Sequence, residues 1–214
     1  MYPAGNLFIA VVHGRLEAII KEPREAAIKG VALVLHPHPL GGGTMHNKVI
    51  FRASGALNDV GLITLRINFR GVGQSTGEHD EGRGELEDVQ AALDYLAENY
   101  PGQPVTLCGF SFGARVGLEI GMLDNRVRSL ISIGTPLDKY DFSFLKACRK
   151  PILFVHGDQD EFGSVPGLQH LVDEIKKHNT TVELRVVAGS GHFFEGHLDE
   201  LKQEITGWTK RQLD

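Results

Sequence analysis

The segment GVALVLHPH, residues 30–38, constrains this chain most. Its apolar residues run on almost without a polar break. A strand with one wetted face alternates apolar and polar side chains, so an unbroken run marks a central strand covered on both faces. Further strand-like runs follow at 61–69, 105–110 (VTLCGF), 127–134, 151–157 and 182–189. Between them lie segments with helical spacing, at 47–61, 85–98, 114–123, 165–178 and 195–211. In 85–98 the residues Leu86, Val89, Ala92, Leu93 and Leu96 form one stripe. The opening differs: LFIAVV (7–12) and LEAIIKE (16–22) flank His13-Gly14-Arg15 and read as a hairpin. Alternation after an antiparallel start predicts an α/β fold, with a mostly parallel, doubly wound sheet of about eight strands and helices on both faces. The length of 214 residues fits one domain over 1–214. The stretch TPLDKYDFSFLKACRK, between two predicted strands, is too short for a separate lid domain.

Charge and composition exclude several classes of function. The net charge is −5 with no run of either sign, which argues against nucleic acid, since phosphate binding needs a clustered basic face. No window has the ~18 consecutive apolar residues of a membrane helix. The opening MYPAGNLFIAVVHG lacks the basic stretch of a signal peptide. Cys108 and Cys148 do not make a disulfide framework. These features predict a cytoplasmic protein acting on a small molecule. VELRVV leaves the oligomeric state open: it reads as an edge strand able to pair with a second subunit, yet Glu183 and Arg185 could equally protect it.

Ligands of open parallel sheets bind beyond the carboxyl ends of the strands, so the residues just after each strand are the informative ones. Ser111 follows VTLCGF within Gly109-Phe110-Ser111-Phe112-Gly113; Asp158 and Asp160 follow PILFVHG; His192 follows VELRVVAGSG. Serine, acid and histidine thus fall at one sheet edge, in the chain order of a nucleophile elbow and its partners. A free serine is a poor nucleophile and needs a histidine to take its proton, and an acid must hold that histidine in the right tautomer. Asp160, further along its loop than Asp158, is better placed to reach His192; Glu161 and Glu195 are weaker candidates. His156 reads as a packed turn residue and His197 as a surface one.

An acyl-transfer site also needs oxyanion donors. The Phe112 backbone N–H supplies one, and Leu40 N–H, in the loop HPHPLGGG, is the expected second. Leu40, Phe110, Phe112, Phe162, Phe193 and Phe194 are the candidates for an apolar-walled cleft, with buried packing the alternative for some. His36, His38 and His46 lack the spacing of a recognised zinc site, so no metal is expected. Gly71 to Gly77 carries no Lys-Ser/Thr ending and no third fingerprint glycine, so no nucleotide cofactor is expected either.

The pieces HPHPLGGGTMHNK (36–48), NFRGVGQSTG (68–77), GFSFGA (109–114), HGDQDEFGSVP (156–166) and GSGHFF (189–194) together resemble the compact, lidless, esterase-like members of the α/β-hydrolase superfamily, similar in shape to dienelactone hydrolases. The resemblance spans nearly the whole chain. It implies a carboxylic-ester hydrolase with Ser111, Asp160 and His192 as its triad. Dienelactone hydrolases usually carry a nucleophilic cysteine where this chain has Ser111, so their substrate is not implied. A peptidase or thioesterase using the same triad, or a non-catalytic binding protein on the same scaffold, are the alternatives.

Overall fold

A computed structural model describes residues 5–23 and 27–213. Strands β1 (Asn6–Val11) and β2 (Gly14–Lys21) form the expected hairpin, with Val11 opposite Gly14. The chain then alternates through β3 (Gly30–Leu35), α1 (Lys48–Asp59), β4 (Leu62–Ile67), α2 (Arg83–Asn99), β5 (Val105–Phe110), α3 (Phe112–Gly121), β6 (Val127–Ile133), β7 (Ile152–Gly157), α4 (Val165–Lys176), β8 (Val182–Val187) and α5 (Leu198–Leu213). The eight strands lie in the order β1-β2-β4-β3-β5-β6-β7-β8. β2 pairs antiparallel with β1 and β4, and every other pairing is parallel.

The strand order dictates where the helices go. From β3 the chain steps one way to β4, then back past β3 to β5 and onward to β8. Parallel crossovers are right-handed, so reversing direction moves the crossover helix to the other face. Accordingly α1 and α5 pack on one face, and α2, α3 and α4 on the other. The unbroken apolar pattern of β3 serves both: Val31, Leu33 and Leu35 enter the α2–α4 core, while Ala32 and Val34 enter the α1/α5 core. The direction reverses between β3 and β5, and a crevice opens at that switch point beyond their carboxyl ends.

Boundaries shift for local reasons. β3 stops at Leu35, short of residue 38, because Pro37 and Pro39 have no N–H for the ladder. A 3-10 turn over Pro39–Gly41 follows. α1 starts after Asn47, whose side chain accepts the Val49 N–H at 2.9 Å. α3 begins at Phe112, two residues earlier than its periodicity indicates, because Ser111 is its N-cap. The Gly71–Gly77 loop is filled by the hairpin: Ser75 Oγ donates to Asn68 O at 2.7 Å and accepts Glu17 N–H at 2.8 Å. Between β6 and β7 the only helical turn is the short one at Ser143–Ala147, and no lid domain is present there. Among the described residues no helix is long and apolar enough to cross a membrane.

Candidate active site

Ser111 stands at the sharp turn from β5 into α3. Its backbone has φ 55° and ψ −116°, a sparsely populated conformation that costs about 1–3 kcal/mol. Surrounding structure holds it there. Ser111 N–H donates to Ile133 O at 2.9 Å, and Ser111 O accepts Ala114 N–H at 3.0 Å. The flanking glycines are required by space. A Cβ on Gly113 would lie 2.5 Å from both His36 O and Leu35 O, and one on Gly109 would overlap the Gly113 carbonyl.

His192 sits beyond β8 and is 3% exposed. Three rings hold its imidazole, those of Phe162 (centroids 4.6 Å apart), Phe110 (4.9 Å) and Phe193 (5.2 Å). Its Nδ1 lies 2.8 Å from Asp160 Oδ2 and its Nε2 lies 2.9 Å from Ser111 Oγ. A carboxylate only accepts, so Nδ1 carries the proton and the Nε2 lone pair faces the serine hydroxyl. The Asp160 side chain is fully buried, and its Oδ1 accepts Phe162 N–H at 2.8 Å.

The neighbouring acids and histidines do other work. Asp158 Oδ1 accepts Gly189 N–H at 2.7 Å, tying the β7 loop to the loop that carries His192. Glu161 Oε2 reaches only the His192 backbone N–H, at 3.4 Å. His156 Nε2–H donates to Gly163 O at 2.6 Å, while its Nδ1 lies 3.7 Å from Asp160 Oδ2 and has no hydrogen-bond partner among the described residues. His197 pairs with Glu200 at the surface. Cys108 is wholly buried and its thiol is pushed up by burial, so it offers no thiolate beside Ser111.

Phe112 occupies the first position of α3, where a backbone N–H has no intrahelical partner; among the described residues it has no acceptor. Its ring is 1% exposed and packs near His38 (5.0 Å), His79 (5.5 Å) and Phe69 (5.7 Å). Leu40, the expected second donor, is otherwise engaged. Its N–H donates to the His38 ring Nδ1 at 3.2 Å, its side chain is 78% exposed, and it does not line the pocket beside Ser111. The loop spends that amide on its own turn. His38, in contrast, does line the pocket, and its backbone N–H has no acceptor among the described residues.

The pocket has a volume of about 370 Å³. Phe112, Phe162, Phe193 and Pro136 give it apolar walls. Two of the expected aromatics lie elsewhere: Phe110 is wholly buried beneath His192, and Phe194 in the α1/α5 core. Lys139 and Tyr140, both in the pocket lining, had no signal in the sequence, and Asn47, though inside the 36–48 segment, carried no expected site role. They come from loops whose course depends on packing. The approach to Asn47, for example, is fixed by Arg66, which donates to Met45 O at 2.8 Å, and by Asn68, whose Oδ1 accepts Met45 N–H at 2.8 Å. That two of these residues follow β6 at the ligand edge was the one available hint.

Two further histidines border the site. Burial pulls the His36 imidazole down to about 4, and His38 is also lowered, by burial first and then by the neighbouring His79. His36 Nδ1–H donates to Pro37 O at 2.6 Å and its Nε2 accepts Phe69 N–H at 3.0 Å, so both nitrogens are committed to backbone.

Known proteins share this arrangement of elements. The family described as the alpha/beta hydrolase fold matches residues 33–145. An alpha-beta serine hydrolase homologue from Coxiella burnetii is 36% identical, covers 97% of this chain and 98% of its own, and superposes with a TM-score of 0.89. XC6422 from Xanthomonas campestris, a serine hydrolase described as lacking a lid, is 30% identical over 99% of this chain and 97% of its own, also at 0.89. Est1E from Butyrivibrio proteoclasticus, at 17% identity, 98% and 99% coverage and a TM-score of 0.83, shares the fold. The eight-stranded sheet, the helices on its two faces and these matches together place the chain in the α/β-hydrolase family, among its lidless serine-hydrolase-like members.

Proposed function

We propose that this protein is a serine hydrolase of carboxylic esters, with Ser111 as nucleophile, His192 as general base and acid, and Asp160 as the group that orients His192. One observation carries the reading: the hydrogen bonds from Asp160 to His192 to Ser111, at 2.8 and 2.9 Å, form an unbroken chain that ends in a pocket. In this reading Ser111 Oγ attacks the ester carbonyl as its proton passes to His192 Nε2. The imidazolium then protonates the departing alcohol oxygen, leaving an acyl group on Ser111. A water activated by His192 attacks that acyl carbon and releases the acid, restoring the serine. Asp160 stabilises the imidazolium and keeps its ring in place.

The oxyanion of each tetrahedral intermediate takes the Phe112 N–H as one donor. For the second we assign the His38 N–H in place of Leu40, since the former is unspent and the latter is held by the His38 ring. Each such donor contributes about 2.7–4 kcal/mol to transition-state stabilisation.

The apolar walls and the absence of a lid support esters with short, accessible acyl groups. Activity across 4-nitrophenyl esters of increasing acyl length, with a thioester and an anilide of matched acyl group, tests this. Esters of short acids are expected to be turned over fastest, without activation by a lipid interface. Preferential turnover of the anilide or thioester, or strong interfacial activation, would overturn the assignment.

A further inference from the structure

We propose, building on the esterase reading, that the Ser111 pocket selects esters bearing a carboxylate remote from the scissile bond, and that Lys139 recognises that carboxylate. Among the described residues Lys139 is the one lysine or arginine lining the pocket, and no aspartate or glutamate lines it. His38, also in the wall, is held towards its neutral form by burial and by His79. Lys139 Nζ lies 5.7 Å from the centroid of Phe162, whose ring packs 4.6 Å from that of His192. The ammonium is therefore one aromatic ring away from the general base. Among the described residues it has no carboxylate partner, whereas Arg126, Arg185, Lys177 and Lys202 are each engaged by acids.

Local geometry keeps that cation available. Lys139 and Tyr140 both donate backbone N–H groups to Pro136 O, at 3.1 and 3.2 Å, so the base of the side chain is fixed in a turn. Asp138 N–H donates to Phe162 O at 3.0 Å, fastening that turn to the loop of the catalytic acid. The carboxylates of Asp138 and Glu161 are close in sequence to this junction but do not line the pocket. The whole chain carries a net charge of −5, so Lys139 sets a positive charge in the pocket wall of a net-negative protein. An anion beside apolar walls meets less screening than one in open solvent. Asn47 and Tyr140, both uncharged, belong to the same lining.

The carboxylate can belong to the acyl half or to the alcohol half, and two arms separate these. The first compares 4-nitrophenyl hydrogen adipate with 4-nitrophenyl methyl adipate, an uncharged ester of the same acyl length. The second compares 3-carboxyphenyl butyrate with its methyl carboxylate ester, scoring release of the phenol by cleavage of the butyrate. The Ser111→Ala protein supplies the blank for spontaneous hydrolysis. In at least one arm, kcat/KM at low salt is expected to favour the anionic ester about fivefold, the upper range for an exposed ion pair, mainly through KM. Lys139→Met should bring that ratio to about one and Lys139→Glu should invert it. The preference of the native protein should shrink as salt is raised. Because each result is a ratio within one protein preparation, partial loss of folding in a variant does not hide it. Turnover of neutral esters with no anionic preference in either arm, or a preference that survives in Lys139→Met, overturns the role of Lys139 and leaves the esterase reading intact. Failure of the native protein to turn over any ester overturns both.

Discussion

His36 and His192 are both buried, both follow a strand at the ligand edge of the sheet, and both have the two ring nitrogens engaged. Their partners set them apart. His36 bonds only to backbone, Pro37 O on one side and Phe69 N–H on the other. It clamps the start of the β3 loop to the segment after β4, and its neutral form is preferred. His192 bonds to a carboxylate and to a serine hydroxyl beside a pocket. A proton gained by His36 breaks a structural bond. In the mechanism we propose, His192 takes the Ser111 proton and passes it to the leaving group. The lesson is that residue type and place in the fold do not define a general base; the chemistry of its two partners does.

Breaking each side of this contrast should give opposite signatures. Ser111→Ala, His192→Ala and Asp160→Asn are expected to cut esterase kcat by about 10⁴–10⁶-fold, while Ser111→Ala shifts stability by no more than about 1 kcal/mol. Paired kinetics and urea melts read both quantities. Unaltered turnover in any of the three would remove that residue from the mechanism.

The next effect concerns the backbone between the two histidines. His38 has φ −51°, which proline can adopt, so His38→Pro deletes its N–H with little distortion at that residue. A loss of about 100-fold in kcat is expected, matching one oxyanion donor. His38→Ala keeps the amide and should stay within about threefold of the native protein. Equal losses in both variants would assign the effect to the ring and return the second donor to another amide.

A last effect falls on stability and pH. The unfolded chain protonates a histidine near 6.5, whereas folded His36 resists protonation down to about 4. Below pH 6.5 the unfolded state therefore binds more protons, and stability falls as pH drops towards 4. The His36 share of that fall is about 3 kcal/mol at most. In His36→Gln the stability difference between pH 7 and pH 4.5 should shrink. An unchanged difference would show that other groups cause the acid sensitivity.

Much of the fold was legible because its signals are local. GVALVL is apolar without alternation since β3 is covered twice, and the glycines at 109 and 113 mark where two backbones meet. The separation of Ser111, Asp160 and His192 along the chain was readable only through the rule that sites gather at the carboxyl ends of strands. The engagement of the Leu40 N–H by the His38 ring was not legible, because sequence shows which loop approaches the serine but not which amide the loop uses internally. Lys139 belongs to no motif, and Asn47, within HPHPLGGGTMHNK, is not marked there as a pocket residue. Their place depends on Arg66, Asn68 and Pro136 holding loops by backbone carbonyls and amides, contacts that leave no periodicity to find.

The central claim, that Ser111 is an activated nucleophile, is tested most directly by treating the native protein with a fluorophosphonate and locating the adduct by peptide mass spectrometry. A single stoichiometric adduct on Ser111 is expected, absent from Ser111→Ala and greatly slowed in His192→Ala. Labelling retained in Ser111→Ala, or an adduct on any other residue in its place, would contradict it.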